Sequence, residues 1–243
     1  MGPTVKRWSS PQRCCVKLLD QQTILPVMPA APAPPDALLA VATGCAHCPT
    51  VLAGVSDLVK SGAIGKLEVV NVTVKPEIAQ ALGVRSVPWL QLGPFILEGL
   101  HSPAELRQWA DRAIRPEGLG DYLVELLKGG KLKQAIAFCE AAPGRLAPLL
   151  ALLERPDIEL TVRIGIAAII EEFAASAALR SVMEKLIALT RHSDAHIRGD
   201  AAHFLSLTRD PRARAALQEL LNDPAAPVRE LAQEGIEALR DAT

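Results

Sequence analysis

The chain has 243 residues, a formal net charge of −1 and a sequence pI near 6.5. With 49% hydrophobic and 22% charged residues, wholesale disorder is excluded, and the charge balance lacks the basic excess of a dedicated nucleic-acid binder. Aromatics are only 3%, so a core must come from Ala, Leu, Val and Ile, a composition that favours helix.

The first segment, residues 1–35, holds seven of the nineteen prolines and reads as a flexible Pro-rich tail. Lys6, Arg7, Arg13 and Lys17 against Asp20 make it basic. Prolines interrupt its apolar stretch, which excludes a signal helix, and no run in the chain approaches the ~18 apolar residues of a membrane span. The expectation is a cytoplasmic protein with no membrane or nucleic-acid partner. Five cysteines, odd in number and irregular in spacing, are not a secreted disulfide framework. Cys14 and Cys15 are adjacent, a spacing that strains a disulfide, and no role is assigned to them.

Residues 36–115 alternate short apolar runs with helical patterns. ALLAVAT (37–43) reads as a buried strand, and 45–61 as a helix with Val51, Leu52, Val55, Leu58 and Val59 on one face. KLEVVNVTV (66–74) reads as a second strand, and 76–82 as a short helix opened by proline. PWLQL (88–92) and PFILEG (94–99) form a hairpin about Gly93-Pro94. Ser102-Pro103-Ala104-Glu105 is a helix start with a capping box, and that helix runs to about 115. The order is β-α-β-α-β-β-α.

Residues 116–243 contain no convincing strand. Helices are predicted over 121–128, 132–141, 146–153, 159–174, 179–191, 197–207, 211–221 and 227–240, punctuated by Gly and Pro. Three windows align on an aliphatic–Arg pair: Val162-Arg163, Ile197-Arg198 and Val228-Arg229. Seven residues after each Arg come Ile170, Leu205 and Ile236, which stacking is expected to bury. One helical pair cannot bury its apolar face alone, so stacked copies share a core. This pattern resembles HEAT repeats over about 146–239, with 119–141 as a capping pair. The arginine column is expected to bond neighbouring repeats through Asp or backbone carbonyls. The thiol-bearing domain is expected to keep a core of its own.

Cys45-Ala46-His47-Cys48 is a CxxC that follows a predicted strand, opens a predicted helix and precedes Pro49. Further on comes Gly83-Val84-Arg85-Ser86-Val87-Pro88. This arrangement resembles the thioredoxin fold in its minimal, glutaredoxin-like form. It is similar to the N-terminal domain of bacterial alkyl hydroperoxide reductase flavoproteins, where a CxxCP motif precedes a helix and a Gly-Val-x-x-Val-Pro segment follows. The resemblance implies that Cys45 is the attacking thiol, Cys48 the resolving thiol and Pro88 a cis proline. The chain departs from many members in having Trp89 after that proline and Gly44 before the first cysteine.

Physical chemistry agrees with these roles. A thiol at a helix N-terminus meets unpaired N–H groups and the positive dipole end, which lower a CxxC pKa from about 8.5 to ~3.5–7.5. His47 can add to that tuning. A cis bond at Val87–Pro88 would leave the Val87 backbone free to pair with an extended substrate strand. Two other readings stand beside this one. Zinc would need four ligands, and no second CxxC or nearby HxxxH is present, so no metal is assigned. A degenerate fold with two unreactive thiols is the other. Cys139 reads as a core residue, and His192, His196 and His203 as solvated or capping residues around one turn.

The expected fold class is therefore an α/β thioredoxin fold over 36–115, followed by an all-α HEAT-like domain over 116–243. Acids and bases balance at seven each in 36–115, whereas 116–243 has nineteen acids against fifteen bases. The expected function is thiol–disulfide exchange on a protein disulfide, with the array recruiting or presenting the partner, be it substrate or reductant. No cofactor is called for. The alternative is an interaction scaffold or redox sensor whose thiol domain does not turn over.

Overall fold

The structure, a computed structural model, describes residues 33–241. Most of the tail, with the Cys14–Cys15 pair, lies outside the described residues. The elements of the first part are β1 (Ala37–Val41), α1 (Cys48–Lys60), β2 (Leu67–Asn71), α2 (Pro76–Leu82), β3 (Trp89–Leu92), β4 (Phe95–Glu98) and α3 (Pro103–Ala113). The order is the one expected. The four strands form one sheet in the order β2-β1-β3-β4. β1 and β2 are parallel, while β3 is antiparallel to both β1 and β4. Leu39, Leu90, Leu92 and Phe95 point from the sheet into a core with Val55, Leu58 and Leu106, all buried.

Two boundaries of this part differ from expectation by three residues, for local reasons, and the others fall within about two. The first helix begins at Cys48 rather than at residue 45, because Gly44 takes a left-handed φ of 78° and the chain turns there before entering the helix. β2 stops at Asn71 because the Asn71 side chain accepts the Thr73 N–H at 3.0 Å, a turn that competes with the ladder. The capping box is present: Ser102 Oγ accepts the Glu105 N–H, and Glu105 Oε2 accepts the Ser102 N–H at 2.7 Å.

The second part is helical: α4 (Gly118–Lys128), α5 (Leu132–Glu140), α6 (Leu146–Ala151), α7 (Leu160–Glu172), α8 (Ala177–Ser181), α9 (Met183–Leu189), α10 (Ala195–Leu207), α11 (Ala213–Leu220) and α12 (Ala226–Asp241). The single helix expected over 179–191 is two, since Val182 leaves the helical backbone at φ −102°, ψ 15° and buries its side chain. Val162, Ile197 and Val228 sit near the starts of α7, α10 and α12, and Ile170, Leu205 and Ile236 are buried as the repeat register requires. Among the described residues no helix is long and apolar enough to cross a membrane.

The expectation of a separate core for the thiol-bearing part is corrected by the packing. One cluster of buried residues runs from Ala37 through Leu239. Aromatic rings make the join: Phe95 and Trp109 touch Tyr122 of α4, which touches Phe138 of α5, with centroids 4.9–5.7 Å apart. Edge-on and tilted ring pairs of this kind add to plain area burial. Gly118 opens α4 where a Cβ would strike the Arg112 carbonyl, so glycine lets α3 and α4 approach closely.

Candidate redox site

Cys45 and Cys48 are joined as a disulfide, with their Cα atoms 5.5 Å apart. Cys45 lies in the turn before α1 and is half-buried, whereas Cys48 faces inward and is only 5% exposed. The exposed member of such a pair is the one an outside sulfur can reach.

The start of α1 is built around Cys45. His47 occupies the N-cap position but its side chain caps nothing, and no acid stands in the first turn. The Cys48 N–H instead points at Cys45 Sγ, at 3.2 Å. The sulfur of Cys45 thus receives one of the helix-start N–H groups that have no partner within the helix. Once the disulfide is reduced, the same N–H and the helix dipole favour a thiolate at Cys45. The His47 ring is exposed, beside this turn and without a hydrogen bond among the described residues.

Opposite the pair lies the second expected segment. The Val87–Pro88 bond is cis, and the Val87 carbonyl oxygen is 3.9 Å from Cys45 Sγ. Pro88 is buried, and its carbonyl accepts the Gly99 N–H, which ties the segment to the end of β4. Cys45, Cys48, Val87 and Pro88 therefore converge at one end of the sheet.

Sequence reasoning missed the residues that hold the Cys45 turn. The Thr43 N–H donates to Thr73 Oγ1 at 3.1 Å, and Asn71 Nδ2 donates to Thr43 Oγ1 at 3.2 Å. These bonds pin the strand end that precedes Cys45 to the turn after β2. The only sequence signal was the Asn-x-Thr turn chemistry that interrupts the apolar run at 71–73.

The remaining candidates lie elsewhere. Cys139 is fully buried in α5, and burial pushes its thiol up to about 11, which keeps it protonated near neutrality. His192 Nδ1 accepts the Asp194 N–H, and His203 faces Glu171 at 3.4 Å. In the arginine column, Arg163 bonds Asp200 of the next repeat, Arg198 bonds Asp223 of the next, and Arg229 donates to the carbonyls of Asp223 and Pro224.

Comparison with known families agrees with this geometry. Residues 38–111 match the family model of the thioredoxin domain, and residues 146–237 match that of HEAT repeats. No curated protein matches the chain.

Proposed function

We propose that this chain, a thioredoxin domain carrying a CxxC pair and continued by HEAT repeats, is a thiol–disulfide oxidoreductase that acts on a protein disulfide. The observation that carries the reading is Cys45: half-buried, receiving a helix-start N–H on its sulfur, joined to an inward-facing Cys48 and overlooked by Val87. In the reducing direction the Cys45 thiolate attacks one sulfur of the partner disulfide. The partner's S–S bond breaks, one partner thiolate leaves and a mixed disulfide forms. Cys48, three residues along, then attacks Cys45 Sγ. The second partner thiolate leaves, two electrons have passed to the partner, and Cys45–Cys48 is the disulfide. The oxidising direction is the same sequence reversed. The Val87 backbone pairs with the extended partner strand beside Cys45, and His47 tunes the thiolate.

The test compares turnover of a peptide disulfide by the full chain and by Cys45→Ser, with trapping by Cys48→Ser. The expected result is loss of turnover in the first variant and an accumulating mixed disulfide on Cys45 in the second. Turnover that survives Cys45→Ser overturns the reading. A pair that oxidises and reduces reversibly yet never captures a peptide would instead favour a redox-sensing scaffold.

A further inference from the structure

A groove of about 680 Å³ opens on the sheet face opposite α1 and α3. Its floor is the outer face of β3 and β4, and its walls are the end of α2 and the side of α5. It begins at Arg85 and Trp89, which flank Val87–Pro88, so it leads away from Cys45. The solvent-facing lining is mixed, with an apolar patch of Ile96 (42% exposed), Leu82 and Ala137 beside exposed Gln91 and Gln134.

Three cations edge the groove: Arg85, Lys133 and Arg145. None has a carboxylate partner among the described residues. Arg145 is held in place by its own stacking on Phe138, 4.0 Å from the ring centroid, and by a 2.7 Å bond to the Phe138 carbonyl. Glu98, the acid of the groove, is already engaged by Lys131 at 3.3 Å and by Gln134. The groove is thus positive at its rim, while the 116–243 part of the chain has more acids than bases. Trp89, Tyr122 and Phe138 line it too, but each is under 9% exposed and packed, so their faces are not open for stacking bases. The backbone of Ile96 is taken up by Tyr122, so an occupant cannot add a strand at that point.

We infer that this groove docks an extended, acidic and apolar segment of the protein whose disulfide is exchanged, seating its apolar side chains on Ile96 and Leu82 and its carboxylates against Arg85, Lys133 and Arg145. The inference rests on the exchange reading for its biological partner, but docking itself needs no chemistry. Rim charges of this kind set selectivity and association rate more than raw affinity.

The test uses the oxidised full chain and three fluorescein-labelled peptides of one apolar frame bearing Glu, Gln or Lys, read by anisotropy. The Glu peptide is expected to bind roughly tenfold tighter than the Gln peptide, with affinity falling as salt rises. The Arg85→Glu/Lys133→Glu double variant should lose that preference and favour the Lys peptide, whereas Lys60→Glu, away from the groove, should not. Equal binding of Glu and Gln peptides overturns the proposal, as does an equally tight single-stranded oligonucleotide, which would reassign the rim to nucleic acid. In turnover, Lys133→Glu should raise KM for a peptide disulfide with an acidic flank and leave a small disulfide unchanged. Charge-selective binding without exchange on any disulfide would sink the oxidoreductase reading and leave the groove standing.

Discussion

The hydroxyl of Tyr122 accepts the backbone N–H of Ile96 at 3.1 Å and donates to the carbonyl of the same residue at 2.9 Å. Ile96 lies on β4, the edge of the sheet, and Phe95 and Leu97 on either side of it turn their backbone groups toward β3. One side chain from the helical part therefore satisfies both open groups at the middle of the edge. An exposed edge invites pairing with another chain, and covering it is a way to prevent that. Burial of the ring raises the Tyr122 pKa, so the hydroxyl keeps the proton it donates.

Tyr122→Phe keeps the aromatic packing and removes both bonds, leaving a donor and an acceptor of Ile96 unsatisfied. The expected cost is about 1–3 kcal/mol, measured by urea unfolding. A neutral variant would mean that solvent reaches Ile96 and that the hydroxyl does not hold the join.

For the reduced protein, alkylation rate against pH should give Cys45 an apparent pKa below the ~8.5 reference. Cys45 should also label before Cys48, which is 5% exposed. An unshifted titration, or faster labelling of Cys48, would remove the assignment of Cys45 as attacking thiol.

Arg198 and Asp223 form a two-pronged pair between repeats, Nε to Oδ2 at 2.7 Å and a terminal nitrogen to Oδ1 at 2.9 Å. Their side chains are only 12% and 4% exposed. The Arg198 hydrogen bonds hold the Asp223 carboxyl below its ordinary value. A depressed folded-state pKa adds stability that is fully present above the unfolded value of ~3.9 and is lost as pH falls through the folded one. Asp223→Asn should therefore cost about 1.5–3 kcal/mol at pH 7, with the deficit shrinking below about pH 4. A deficit independent of pH would show that the charge of Asp223 is not what stabilises the repeat interface.

Leu205 is fully buried in α10, and Leu205→Ala should cost about 2–5 kcal/mol. Because one cluster of buried side chains joins both parts, the loss should reach the sheet. Helical circular dichroism and tryptophan fluorescence, to which Trp109 beside the sheet contributes, should then melt in one coincident transition. Two separated transitions in the wild-type chain would show that the join at Tyr122 transmits little.

Much of the architecture was legible in the residues alone because it rests on short-range periodicity. The Val-rich run read at 66–74, whose 67–71 part is strand, the Ser102 capping box and the Val/Ile-Arg register each encode their element within a few positions. The same holds for the closeness of Cys45 and Cys48, which stand three residues apart across the turn into α1. What only the tertiary structure decided depends on partners far apart in the chain. Tyr122 falls within the helix expected over 121–128, but its pairing with Ile96 exists only because α4 comes to lie along an edge strand formed 26 residues earlier. Arg163 selects Asp200 rather than the nearer Asp157, whose carboxylate goes to Arg155. Thr43 meets Asn71 and Thr73 only where β1 and β2 end side by side. Periodicity specifies which face of an element is apolar. It leaves open which polar group stands opposite once the faces are buried, and that is settled by the need to satisfy each buried donor and acceptor in the packed chain.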